Sequence, residues 1–138
     1  MRYLGFDLGT KTLGVSVSDK TNTITRELPV IRFDFEDYDK ALLEAKKVID
    51  EYNITEVVLG LPKNMDGSLG FAAKRSLKFK ELLENIGIVV HLVDERLTTK
   101  SALDILHYVN KTEKTSKNII DSVSASIILE SYLKSIKR

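Results

Sequence analysis

The sequence predicts an α/β domain built on one mixed five-stranded sheet with helices on both faces. Three observations predict it. Strand patterns come first and in close succession, with three apolar-alternating runs inside the first 33 residues. Strands and helices then alternate, as in parallel crossover units. The fourth strand, Glu56–Leu61, is short and nearly all apolar, as a buried parallel strand is. The element order reads βββαβαβαα, antiparallel on one side of the sheet and parallel on the other.

Arg2 to Leu8 and Leu13 to Ser18 are the first two strands, joined by a short turn around Gly9-Thr10-Lys11. Asp19-Lys20-Thr21-Asn22 makes a second turn. Thr23 to Phe33 is the third strand, and Pro29 within it implies a sheet edge or a bulge. Leu42, Ala45, Ile49 and Tyr52 then recur at helical spacing. After the fourth strand, Pro62 to Ser68 has turn chemistry. A helix from about Phe71 turns Ala72, Phe79, Leu82, Leu83 and Ile86 inward and stops at Gly87. Ile88 to Val93 is the fifth strand. Thr98 or Thr99 caps a helix bearing Ala102, Ile105, Leu106 and Val109. Asn110 to Asn118 reads as a polar, Lys-rich loop that orders on nucleic acid, and a last helix runs from near Ile119 to about Ile136.

Length and composition bound the class. With 138 residues the chain is read as a single domain over 1–138. Hydrophobic residues at 43% and charged ones at 30% support a buried core. There is no cysteine, which removes disulfides and thiolate metal sites. No apolar run is long enough to span a bilayer, and no signal-peptide pattern opens the chain, so a cytoplasmic location is expected. A net charge of +1 argues against a protein that binds nucleic acid through bulk charge alone. Basic residues are local: Lys74, Arg75, Lys78 and Lys80, then Lys111, Lys114 and Lys117, then the end of the chain.

Asp7 is the first chemical signal. It lies inside an apolar strand, followed by Gly9-Thr10. A carboxylate there destabilises the strand unless a cation or hydrogen bonds compensate. Asp94-Glu95-Arg96 directly follows the fifth strand, and ligands of open α/β sheets bind outside the carboxyl ends of strands. Asp121 opens the first turns of the last helix, among Ser122, Ser124, Ala125 and Ser126. Such small residues allow a helix backbone to approach a sheet, which would aim Asp121 toward Asp7. Carboxylates about 4 Å apart repel by roughly 1–4 kcal/mol per pair. A hard divalent cation, Mg²⁺ with Mn²⁺ as substitute, resolves that repulsion, and phosphodiester hydrolysis is its natural chemistry. His91 reads as a satisfied core or edge residue and His107 as a surface one. No Walker loop is present.

The chain then resembles a known family. Asp7-x-Gly9-x-Lys11, Gly14-Val15-x-Val17-Ser18-Asp19, Gly60-Leu61-Pro62-x-Asn64-Met65-Asp66-Gly67, Asp94-Glu95-Arg96-Leu97-Thr98-Thr99 and Asp121 occur in order. Together they are similar to the YqgF family, the RuvX-type Holliday junction resolvases. The resemblance implies a ribonuclease H-like fold and a metal-dependent nuclease. It maps an acidic triad onto Asp7, Glu95 and Asp121, which also serve as metal ligands. It implies processing of the 5′ end of precursor 16S ribosomal RNA in ribosome biogenesis, with junction resolution in DNA recombination as the alternative. Structured RNA or branched DNA is the expected partner, and the protein a monomer or a weak homodimer. Lys11, Asn64 and Arg96 are the candidate nucleic-acid contacts. The family usually has Arg where Thr12 stands and Ala where Ser124 stands; the first change removes one phosphate contact.

Two readings compete. Asp-Leu-Gly-Thr also resembles the phosphate loop of actin-like ATPases, which need two such domains around a nucleotide. A nucleic-acid-binding module without catalysis would use the basic clusters and keep the acids as relics.

Overall fold

The computed structural model describes residues 2–64, 66–95 and 113–136; the side chains of 113–122 lie outside that description. Five strands form one sheet: β1 (Tyr3–Leu8), β2 (Thr12–Ser18), β3 (Thr25–Arg32), β4 (Glu56–Leu61) and β5 (Val89–Asp94). Three helices accompany them: α1 (Tyr38–Glu51), α2 (Phe71–Asn85) and α3 (Glu113–Ile136). The spatial order is β3-β2-β1-β4-β5. The β1–β2 and β2–β3 pairs are antiparallel, and β1–β4 and β4–β5 are parallel. The predicted mixed sheet is the one found, with each strand boundary within two residues.

Local chemistry explains the element ends. Pro29 lies on an edge strand and also in a bulge: the register jumps from Leu13↔Ile31 to Val15↔Leu28, so Pro29 and Val30 stand against Gly14 alone. Asp37 caps α1 by accepting from the Lys40 N–H at 3.2 Å. Both α1 and α2 end in left-handed residues, Asn53 at φ 54° and Gly87 at φ 89°. Behind them the Ile54 N–H donates to Ile49 O and the Ile88 N–H to Leu83 O, closing the carbonyls of each last turn.

The two faces of the sheet bury different things. On one, Leu4, Phe6, Leu8, Leu13, Val15, Val17, Val57 and Leu59 pack with Ala41, Ala45 and Ile49 of α1 and Phe79 and Leu83 of α2. Each buried Val, Leu, Ile or Phe side chain there contributes about 1.5–3 kcal/mol. On the other, Tyr3, Val58 and Val93 meet Ile128, Leu129 and Leu133 of α3. Helices therefore cover both faces, as expected.

Three expectations need correction. The last helix begins at Glu113, not near Ile119, so 113–118 of the predicted polar loop is helical. These six residues lack an apolar stripe, and helix backbone formed by a polar segment leaves no periodic signal. On α2 the buried set is Ala73, Ser76, Phe79 and Leu83, while Ile86 caps the helix and is exposed. Asp121, expected in the first turn of the last helix, is its ninth residue; on α1, Ala41 joins Ala45 and Ile49 in the fully buried set, with Leu42 and Tyr52 packed against it part-buried, as their spacing predicts. The helix predicted over Ala102 to Val109, His107 within it, and Arg96 lie outside the described residues. Among the described residues no helix is long and apolar enough to cross a membrane.

Candidate functional site

Strand alternation decides which side chains meet. With Leu4, Phe6 and Leu8 turned to α1 and α2, Tyr3, Gly5 and Asp7 face α3. The same alternation turns Ser16 and Ser18 of β2, and Val58 and Gly60 of β4, to the α3 side. This face is built from small residues where α3 crosses it. A Cβ on Gly5 would lie 2.5 Å from Ser16 Oγ, 2.7 Å from the Ala125 carbonyl oxygen and 2.8 Å from Leu129 Cβ. Ser16 Oγ donates to that Ala125 oxygen at 2.8 Å, tying β2 to the helix backbone. The close approach expected from Ser124, Ala125 and Ser126 is real.

Asp7 stands opposite Gly14 near the carboxyl end of β1 and is half-buried. Glu95 follows the last residue of β5. Between β1 and β5 runs β4, and Gly60 lies where the Glu95 side chain crosses it. A Cβ on Gly60 would sit 2.7 Å from Glu95 Cδ and Oε1 and 2.6 Å from Ile128 Cδ1. The missing side chain is what lets Glu95 pass over β4 and hydrogen-bond with Asp7.

The electrostatics follow from that geometry. Burial, then the hydrogen bond to Asp7, then the negative charges of Asp7 and Asp94, push the Glu95 carboxyl up to about 9. A shift in that direction favours one proton held between the two carboxyls over two adjacent free carboxylates. Among the described residues no group of three or more His, Cys, Asp or Glu side chains is arranged to hold a metal ion. The described part of the site is a pair of carboxyls at the carboxyl ends of two strands.

The remaining predicted residues divide. Asp121 belongs to α3, and its side chain is outside the described residues. Its backbone lies one turn before Ala125. Tyr132 packs on Tyr3 with ring centroids 5.6 Å apart, so α3 runs antiparallel to β1 and its earlier turns approach the Asp7 end. Lys11 is exposed in the β1–β2 turn at that end; its carbonyl accepts from the Phe33 N–H at 3.0 Å. Asn64 is exposed in the loop after β4. Its Nδ2 donates to Ser68 Oγ at 3.0 Å, its carbonyl accepts from the Gly67 N–H at 2.8 Å, and it abuts Gly70. Asn64 thus shapes the loop. Thr12 is buried at the start of β2, and its carbonyl accepts from the Gly9 N–H at 2.8 Å. His91 bonds Glu56 Oε1 at 2.6 Å and stacks on Tyr132 at 4.7 Å, a satisfied edge-strand residue as read from sequence.

Sequence reasoning missed the roles of Gly60, Gly5 and Ser16. A signal was present: glycine inside an apolar strand marks a close approach, and Gly60 sits in the run Val57-Val58-Leu59-Gly60-Leu61.

A family model described as "RuvX: Holliday junction resolvase" matches residues 1–135. A Geobacillus sp. (strain WCH70) protein named "Putative pre-16S rRNA nuclease" is 43% identical over 136 residues, covering 98% of this chain and 99% of its own length. A Lactobacillus gasseri protein of the same name is 39% identical over 143 residues, covering 100% and 99%. Among solved structures, T. thermophilus RuvC in complex with Holliday junction substrate aligns with a TM-score of 0.59 at 13% identity, over 99% of this chain and 96% of that one. That likeness shows the fold, which is ribonuclease H-like, as the motifs implied. From the family match across nearly the whole chain and relatives above one-third identity, the chain belongs to the RuvX family.

Proposed function

We propose that this protein is a nuclease that hydrolyses phosphodiester bonds while maturing the 5′ end of precursor 16S ribosomal RNA. One observation carries the chemistry: Glu95 crosses Gly60 to hydrogen-bond with Asp7 at the carboxyl ends of β5 and β1. Two carboxyls held this close repel one another unless a proton or a cation lies between them. That donor set, all oxygen, fits a hard divalent cation, which would favour the doubly ionised pair. Asp7, Glu95 and Asp121 would hold Mg²⁺, with Mn²⁺ as substitute. When bound, the cation supplies charge neutralisation and a water of lowered pKa.

The protein's own groups do the rest. Asp7 and Glu95 would hold the cation as carboxylates, with any proton between them passing to solvent. The close seat of α3 on Gly5 and Ser16 brings the turn before Ala125, which carries Asp121, toward the Asp7 end of β1. Lys11 and Arg96 contact phosphate, Arg96 through the paired N–H groups that suit phosphate oxygens. Asn64 holds the adjoining loop in shape for the same strand. The relatives' name supports precursor 16S ribosomal RNA as substrate, and the family description supports a four-way DNA junction as the second reading. Junction cutting needs two sites on a two-fold dimer, whereas RNA trimming is compatible with a monomer or a weak homodimer. A cytoplasmic location, where bacterial ribosomes assemble, accords with the first reading.

The test is cleavage of a precursor ribosomal RNA leader, single-stranded RNA and a four-way DNA junction, each with Mg²⁺ or Mn²⁺. Leader cleavage that stops with chelator, and falls more than about 100-fold in Asp7→Asn, is expected. Cleavage of the junction alone would replace the first reading by the second. No cleavage of any substrate by the folded protein would overturn both.

A further inference from the structure

A second charged feature lies on the opposite face of the sheet, at the same end as Asp7. A cavity of about 530 Å³ opens between the start of α1 and the first two turns of α2, lined by Glu36, Tyr38, Phe71, Lys74, Arg75 and Lys78. Its position follows from the chain path. The Glu36 N–H donates to the Thr10 carbonyl at 2.8 Å, which ties one wall to the turn that follows Asp7. The other wall is the start of α2, reached by the loop that leaves the carboxyl end of β4.

Three observations define what this cavity can hold. The first is charge: three cationic side chains face one carboxylate, that of Glu36. None of the three cations is in an ion pair among the described residues. The second is an unmet hydrogen-bonding demand. Arg75 Nε and the Tyr38 hydroxyl are both shielded from solvent and have no hydrogen-bond partner among the described residues. Donors in that state destabilise the fold unless an acceptor arrives. Burial foremost holds the Tyr38 hydroxyl above its ordinary pKa, with Arg75 opposing and Glu36 assisting, so it remains a donor at neutral pH. The third is Phe71, 85% exposed on the rim, a large apolar ring with nothing packed over it.

Donors with no acceptor, excess positive charge and an open aromatic face fit one chemistry. We propose that this cavity holds an unpaired segment of the nucleic-acid substrate, one backbone phosphate against Arg75, Lys78 and Tyr38, and the adjoining base on the ring of Phe71. A base inside a duplex has no free face to offer Phe71, so the site selects single strand. Lys74 adds attraction without a fixed partner. Glu36 repels phosphate from its own wall and confines the backbone to the α2 side. The inference rests on the nuclease reading for its ligand but concerns a different surface, and binding tests it without cleavage.

The experiment is fluorescence anisotropy in EDTA, where no cut occurs. Labelled single-stranded RNA of about 12 nucleotides, DNA of the same sequence and the matching RNA duplex serve as probes. Phe71→Ala is expected to weaken single-strand binding about tenfold and to leave duplex binding unchanged. Lys78→Gln is expected to weaken both and to lower the salt slope by about one. Ile24→Ala, at another exposed apolar residue at the far end of the sheet, is expected to do neither. Loss on RNA alone would assign the site to RNA, and loss on both probes to either backbone. Unchanged single-strand affinity in Phe71→Ala and Lys78→Gln, an equal loss on duplex in Phe71→Ala, or no binding by the unsubstituted protein would each overturn the proposal. Leader cleavage is run beside it. Cleavage that persists without pocket-dependent binding sinks the pocket alone. Pocket-dependent binding without metal-dependent cleavage sinks the nuclease reading alone.

Discussion

The sheet has two faces that solve opposite problems. The α1/α2 face is built from Leu, Val and Phe, including Leu4, Phe6, Leu13, Val15 and Leu59, none of them measurably exposed. The α3 face carries Gly5, Ser16 and Gly60 where the helix crosses, and two carboxyls at its end. Burial of apolar area stabilises the first in proportion to side-chain size. The second gives up that area so that a helix backbone and a carboxyl can come close. One face supplies the stability that the other face spends on geometry.

The sharpest way to break this contrast is to cut into the apolar face. Phe79→Ala removes a fully buried ring packed edge-on to Phe6 at 6.3 Å. A loss of about 3–5 kcal/mol in denaturant unfolding is expected, with the cleavage rate of the still-folded protein nearly unchanged at low temperature. A cleavage loss as large as the stability loss would show that the faces are not separable.

The next effect runs the other way. Between the unfolded carboxyl's usual value near 4.5 and about 9, folded Glu95 keeps a proton that the unfolded chain releases. Stability without metal therefore falls as pH rises through that window. The unsubstituted protein should be less stable at pH 8 than at pH 5, by on the order of a few kcal/mol from this group. Glu95→Gln, neutral at every pH, should lose that slope, gain stability at pH 8 and lose cleavage. Parallel pH curves for the two proteins would remove the shared proton from the account.

Gly60→Ala should change stability least, by about 1 kcal/mol, because the atoms it meets are the ends of flexible side chains. Those ends are Glu95 and Ile128, so the Glu95 carboxyl must leave Asp7. Cleavage should fall at least about tenfold while the unfolding midpoint barely moves. Retained cleavage would mean that Glu95 reaches Asp7 by another path.

How much of this was legible in the sequence differs between the faces. The apolar face announces itself by alternation, and β4 was bounded to the residue because Glu56 and Pro62 flank an apolar run. Asp7 was legible because a charged residue in a strand violates the pattern around it. Glu95 was weaker, since acids at strand ends also form turns, and its motif rather than its spacing singled it out. The Gly60 crossing was not legible as a role, because the absence of a side chain does not say which neighbour fills the space. Glu113 to Asn118 escaped detection for the converse reason: they form helix without an apolar stripe.

The bulge at Pro29 and Val30 bears on how copies of the protein meet during synthesis. β3 is an outer strand of the sheet, the kind of margin along which a second chain zips into a continuous ribbon. Pro29 offers no N–H to such a partner, and the extra residue throws the spacing of donors and acceptors out of step. A crowd of newly made chains is thereby denied this margin as a template for aggregation. A sheet continued across β3 is accordingly the disfavoured way to join two copies.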